Sequence, residues 1–275
     1  MAAGILAIGF MLIVASFPVG VKLTGVAAER TIGAVAADEA FAMMRLYGID
    51  SNPNIWGVDP NSRDFCRDYR DVGRQSAGLV EDDFLYPSTA AEFDEKRYCY
   101  SGLCRYTDLQ TYQHDDREFQ ITVFVCRVGF ERKKYPYRDW GAFEWKTADH
   151  PRPVPIMRVD VLPTPDPVLD SVGFVSEIEI DVSMPNEVRN YVVEGAHLVD
   201  DRTGTIMVVE SHDRDDVTIK LTADVEEDIL GSWFWVIPPS VTPDSPGNPR
   251  DPATPPETNS GRYPCVGVYQ SVLNF

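Results

Sequence analysis

Residues 2–21 read AAGILAIGFMLIVASFPVGV and carry no charged side chain; the first charge is Lys22. The chain then runs without a turn signal through residues 23–47, LTGVAAERTIGAVAADEAFAMMRLY, and Gly48 and Asp50 are the first plausible stop. An uncharged run of this length can span a bilayer as a helix. In lipid, only a helix or a closed barrel satisfies its own backbone. The extension changes character instead of stopping. Ile32, Val35, Ala36, Ala40, Met43 and Leu46 recur at helical spacing, with Glu29, Arg30, Asp38 and Arg45 interspersed. The pattern predicts one continuous or once-kinked helix over 3–47, roughly 68 Å long at about 1.5 Å per residue. It should loosen within 9–20 around Pro18, because proline removes a backbone hydrogen bond.

Simpler accounts of this stretch are available. A cleaved secretory signal needs a basic start and a shorter apolar core, and nothing basic precedes Ile5. A single-span anchor for an unrelated domain fits the run. A buried core helix does not, since nothing later in the chain could cover it on all sides.

The segment ILAIGFMLIVASFPVGVKLTGVAAERTIGAVAADEAFA resembles the N-terminal helix of type IV pilins and type II secretion pseudopilins, and within them the minor pilins. The resemblance covers residues 2–48. It implies an apolar half-helix that sits in the membrane and later in a filament core, and an amphipathic half that supports a globular head. Pro18 falls about where such pilins carry a helix-loosening proline. A prepilin would also have a short basic leader, a cleavage-site glycine and a glutamate a few residues into the mature helix. This sequence shows none of the three. On that alignment Met1 lies several residues inside the helix, which fits either a start further upstream or a subunit without the motif.

Composition bounds the remainder. The chain has 275 residues and a net charge of −18. Without the helix, about 225 residues remain, enough for one large or two small domains. Strong acidity argues against nucleic acid and against an anionic membrane surface as partners. Its simplest meaning is a solvated outer face.

The five cysteines, Cys66, Cys99, Cys104, Cys126 and Cys265, all follow the helix. The spacing in CYSGLC, residues 99–104, suits a small disulfide loop better than zinc, whose ligand pairs need a second pair or histidines elsewhere. An exported head would oxidise these thiols, so a Cys99–Cys104 disulfide is expected. Cys126 or Cys66 is a further candidate to pair with Cys265. Free cytosolic thiols are the alternative. An odd count leaves one thiol unpaired or bonded to another chain.

Residues 51–115 read as a loop-rich connector punctuated by NPN, DPN and YPS turns, with short helices near 62–72 and 90–96. Residues 116–275 read as an antiparallel β head. Strands are predicted at 118–128, 155–162, 173–182, 197–199, 205–210, 217–222, 233–237 and 265–273. FVSEIEIDV alternates apolar and acidic residues as a half-buried strand does. The DDRTG stretch reads as a hairpin turn. Residues 238–264 hold nine of the 21 prolines and read as an extended, exposed insertion between two strands.

No catalytic motif is present: no G-x-S-x-G, P-loop, G-x-G-x-x-G, H-E-x-x-H or EF-hand loop. His114, His150, His197 and His212 are scattered. Asp200 and Asp201, or Asp213, Asp215 and Asp216, could offer oxygens to calcium, but turn acids more often just form turns. The expectation is therefore a non-enzymatic chain with no cofactor and no metal.

The whole reads as an α+β protein, with a long N-terminal transmembrane-to-amphipathic helix (1–50), the connector (51–115) and a β-rich pilin-like head (116–275). The resemblance implies a structural subunit of a pilus-like or pseudopilus filament, seated in the inner membrane with an exported head. Its partners would be the bilayer and sister or related subunits. Assembly would run through Ile5, Leu6, Ile8, Phe10, Met11, Leu12, Ile13, Val14, Phe17 and Pro18, apolar all round the helix. The alternative is a single-span anchored domain serving as accessory subunit of a membrane complex.

Overall fold

The computed structural model describes residues 2–49, 66–73, 79–90, 95–107, 118–128, 133–139, 144–157, 174–179, 186–212, 218–226, 233–241 and 263–275. Along the N-terminal helix, side chains are described from Phe10 onward, apart from 12, 13 and 15. Helix α1 runs unbroken over Ala2–Tyr47 with Pro18 inside it. It ends at a glycine that takes the left-handed conformation. Gly48 adopts φ 76°, and its N–H donates to the Met44 carbonyl at 2.9 Å.

Thirteen strands follow in the described residues: β1 (Cys66–Asp68), β2 (Leu85–Tyr86), β3 (Tyr98–Tyr106), β4 (Glu118–Arg127), β5 (Tyr135–Asp139), β6 (Glu144–Ala148), β7 (Val154–Met157), β8 (Phe174–Glu179), β9 (His197–Asp200), β10 (Ile206–His212), β11 (Thr218–Glu226), β12 (Trp233–Val236) and β13 (Cys265–Asn274). The first sheet has the order β1-β3-β4-β13, with β2 also on β3; the second has the order β7-β12-β9-β10-β11-β8; β5 and β6 form a separate hairpin. All described pairings are antiparallel.

The layers are helix, sheet and sheet. One face of the first sheet presents Tyr100, Cys104, Phe119, Ile121, Val123, Val125 and Leu273 to Ala36, Ala37, Ala40, Phe41 and Met44 of α1. Alternation sends Cys99, Leu103, Phe124, Cys126 and Cys265 to the other face. There they meet Val199, Trp235 and Ile237 of the second sheet. The second sheet's outer face packs Ile156, Leu198, Val209, Ile219 and Phe234 under Val188, Tyr191 and Val192, beside the one-turn helix Asn186–Arg189.

Two features of the expected fold are corrected. Among the described residues, 47% are in strands, all paired antiparallel, against one long helix, so β-structure dominates what was expected to be α+β. The transmembrane helix is also overturned: among the described residues, no helix is long and apolar enough to cross a membrane. From Phe10 onward, Ser16, Pro18, Gly20, Lys22, Thr24 and Gly25 dilute the apolar residues of α1 before Glu29 and Arg30 arrive.

Residues assigned to the connector supply β1, β2 and β3, together with the one-turn helix Tyr69–Val72. The expected helix near 90–96 lies largely outside the described residues, as does most of the proline-rich insertion, 242–262.

Candidate functional site

Helix α1 divides into two halves with opposite environments. In the second half, small residues let the helix lie close on the sheet. Ala36, Ala37 and Ala40 are buried, and Met44 is fully covered. A Cβ on Gly33 would stand 2.8 Å from Tyr269 Oη, so only glycine fits there without displacing the tyrosine. A Cβ on Gly102 in β3 would run into Met44 Cε.

Polar ties fix the register of this half. Arg127 Nε donates to Glu29 Oε1 at 3.0 Å, and Nη2 reaches Oε2 to complete a bidentate pair. The Tyr269 hydroxyl donates to the Arg30 carbonyl at 3.2 Å. The Ser88 N–H donates to Glu39 Oε1 at 3.1 Å, and the Tyr69 hydroxyl donates to the Gly48 carbonyl at 3.1 Å.

The first half leaves the sheet and stands in the open. Phe10 is 68%, Met11 72% and Phe17 71% exposed. Val14, Val19, Val21, Leu23 and Val26 are exposed too. Elsewhere in the described residues, the exposed large apolar residues are only Val35, Leu46, Val80 and Val272. At about 100° per residue, Phe10, Val14, Phe17 and Val21 share roughly 60° of the circumference. Val19, Leu23 and Val26 lie on the far side. The arm is therefore apolar on more than one face.

Of the predicted assembly residues, Phe10, Met11, Val14, Phe17 and Pro18 are exposed on this arm. Ile5, Leu6, Ile8, Leu12 and Ile13 are helical in backbone, but their side chains lie outside the described residues.

The expected Cys99–Cys104 disulfide is corrected. Both residues lie in β3, where five residues of extended chain set the Cα atoms about 17 Å apart. A disulfide tolerates no more than about 7 Å. The odd spacing also turns them to opposite faces, Cys104 toward α1 and Cys99 toward the second sheet. All five cysteines are buried free thiols.

Sequence reasoning missed what the register assembles. Cys126 lies opposite Cys99 on one side and opposite Cys265 on the other. The signal was present as alternation: Tyr98, Tyr100, Cys104 and Tyr106 versus Cys99 and Leu103 describe a strand, and a strand cannot close a C-x₄-C loop. Burial pushes the thiols of Cys66, Cys104 and Cys126 up. Burial would raise Cys265 too, but its neighbours Cys126 and His197 outweigh it and lower the thiol to about 6.

The acidic turn is structural. Asp201 Oδ1 accepts from Trp235 Nε1 at 2.7 Å and from the Cys66 N–H at 2.9 Å. Asp200 Oδ1 accepts from the Thr203 N–H at 2.6 Å, in the hairpin where Gly204 takes φ 72°. Phe234 and Trp235 are core residues. His212 Nδ1 lies 2.8 Å from the Val192 carbonyl. His114 and Asp213, Asp215 and Asp216 lie outside the described residues. Among the described residues, no group of three or more His, Cys, Asp or Glu side chains is disposed to hold a metal ion. Compared with known proteins, the chain matches no family model, no curated protein and no solved structure.

Proposed function

We propose that this chain is a structural subunit that assembles through α1 into a filament of the pilus or secretion-pseudopilus kind, against copies of itself or related subunits. The observation that carries the reading is the arm: a helical half that leaves its own head with Phe10, Met11, Val14, Phe17 and Leu23 exposed. Helix–helix packing removes that surface from water, and a helix that is apolar on several faces asks to be surrounded on several sides.

The second half of α1 suits the same role. It is bonded to the head by packing and by the Glu29–Arg127 pair, so a force or a contact on the arm is transmitted to the sheet. The acidic head, in a chain of net charge −18, opposes close approach of heads, and screening over about 8 Å at physiological salt keeps that cost small. Such an arrangement favours contact through the arm, which carries Lys22 as its one charge between residues 10 and 26.

A photo-crosslinking residue placed at position 17 tests the reading. The expected product is a covalent dimer joined arm to arm, with little product from the same group placed at Val80, an exposed apolar residue of the head. Efficient crosslinking from position 80 and none from position 17 would overturn it.

A further inference from the structure

A row of thiols lies between the two sheets. We propose that Cys126 and Cys265 form a thiol–disulfide site that is oxidised by low-molecular-weight disulfides, with Cys99 as a third thiol able to exchange into the bond.

The geometry begins with register. In the first sheet, Cys99, Cys126 and Cys265 sit directly across from one another on β3, β4 and β13. Facing residues of antiparallel strands have Cα atoms about 4.5 or 5.5 Å apart, inside the roughly 4.4–6.8 Å that a disulfide accepts. All three side chains point to the same face, into the layer that holds Leu85, Phe124, Val199 and Trp235. The middle residue can therefore bond to either neighbour without moving a strand, and only one bond can exist at a time.

The three thiols are not equivalent. Cys126 is fully buried and Cys99 is 1% exposed, whereas Cys265 is 7% exposed. Cys265 opens β13 directly after Tyr263 and Pro264, and a bulge between it and Gly267 breaks the ladder there. Its Sγ lies 3.3 Å from the Gly267 carbonyl. His197 reaches it from the second sheet, and this neighbour favours the thiolate. The fourth thiol of this layer is held out of the row: Cys66 Sγ donates to the Asp201 carbonyl at 3.2 Å.

The chemistry is an exchange. The Cys265 thiolate attacks one sulfur of a small disulfide RSSR, forms Cys265–S–SR and expels RS⁻. The Cys126 thiol, losing its proton, attacks the Cys265 sulfur and expels the second RS⁻. Two protein thiols become one disulfide, and one RSSR becomes two RSH. Attack of Cys99 on Cys126 then moves the bond to Cys99–Cys126 and returns Cys265 as a thiol. Either bond joins strands of the sheet on which α1 rests.

The test is peptide mapping by mass spectrometry. The full chain is equilibrated folded with oxidised and reduced glutathione, then alkylated under denaturing, non-reducing conditions. A Cys126–Cys265 peptide pair is expected in the wild type. Cys265→Ala should yield Cys99–Cys126 instead, and Cys126→Ala should yield glutathione bound at Cys265 with no internal disulfide. Circular dichroism confirms that each variant is folded. The wild-type map stands alone if a variant fails to fold: a map with Cys126 reduced under oxidising glutathione, or with Cys265 joined to Cys66, overturns the proposal.

Discussion

Replacing Phe10 and Phe17 together by serine should weaken assembly and leave the head as it was. Burying one large apolar side chain contributes about 1.5–3 kcal/mol. Phe10 and Phe17 are 68% and 71% exposed, so about two-thirds of that gain is open to a partner, roughly 1–2 kcal/mol each. The pair is then worth about 2–4 kcal/mol per subunit, and at about 1.4 kcal/mol per tenfold the threshold concentration for assembly should rise roughly 30- to 700-fold. The assay is sedimentation velocity of the full chain over a dilution series. Both rings stand largely exposed on the arm, so the unfolding free energy of the head should hold to within about 0.5 kcal/mol of wild type. Assembly at an unchanged concentration would refute the reasoning. So would a loss of assembly accompanied by unfolding of the head, because the arm would then be part of the folded core.

Other outcomes follow from the packing. Met44 is fully buried between α1 and β3, so Met44→Ala should cost about 2–5 kcal/mol in chemical denaturation, and a cost below about 1 kcal/mol would mean the second half of α1 is loosely attached. Arg152 bonds Asp68 at 2.7 Å and Asp71 at 2.8 Å. Burial opposes its charge, but the two carboxylates outweigh this and hold its pKa above the ordinary value. Arg152→Ala leaves Asp68 buried without that partner, a loss of about 3 kcal/mol and a fall in Tm of roughly 6–12 °C by calorimetry. Cys265 should react as a thiolate above about pH 6 in the folded chain, so its alkylation rate should rise through that pH and level off by neutrality. In the unfolded chain the rise should come near the ordinary thiol value of about 8.5. His197→Ala should move the folded profile upward, and a folded profile like the unfolded one would contradict the arrangement.

Local pattern carried much of the fold. The helix at 2–47 was legible because an uncharged run passes into a helical-period run with no cluster of turn residues before Gly48. Strands β4, β8, β10 and β13 were legible because they alternate or are rich in β-branched residues. Strand β3 was not, since the pair Cys99 and Cys104 with Gly102 between them suggested a loop, while the alternation of Tyr98, Tyr100 and Tyr106 passed unweighted. The β5–β6 hairpin carries Pro136 near its start and little alternation, so it gave no strand signal. Sheet order was invisible, because β13 lies on β4 and β7 on β12 through pairings between distant segments. The apolar arm was legible as composition, but only the fold says where it leaves the head: near Glu29, at its bond to Arg127. The thiol row depended on cross-strand register, which no single stretch contains.

Hydrogen–deuterium exchange along α1, below and above the assembly threshold, tests the central claim most directly. The account predicts that amides of residues 10–26 exchange quickly in the dispersed chain and become protected on assembly, while peptides from β3 and β4 keep the protection they already have. Protection gained only in the head, with the arm exchanging as fast as before, would contradict it.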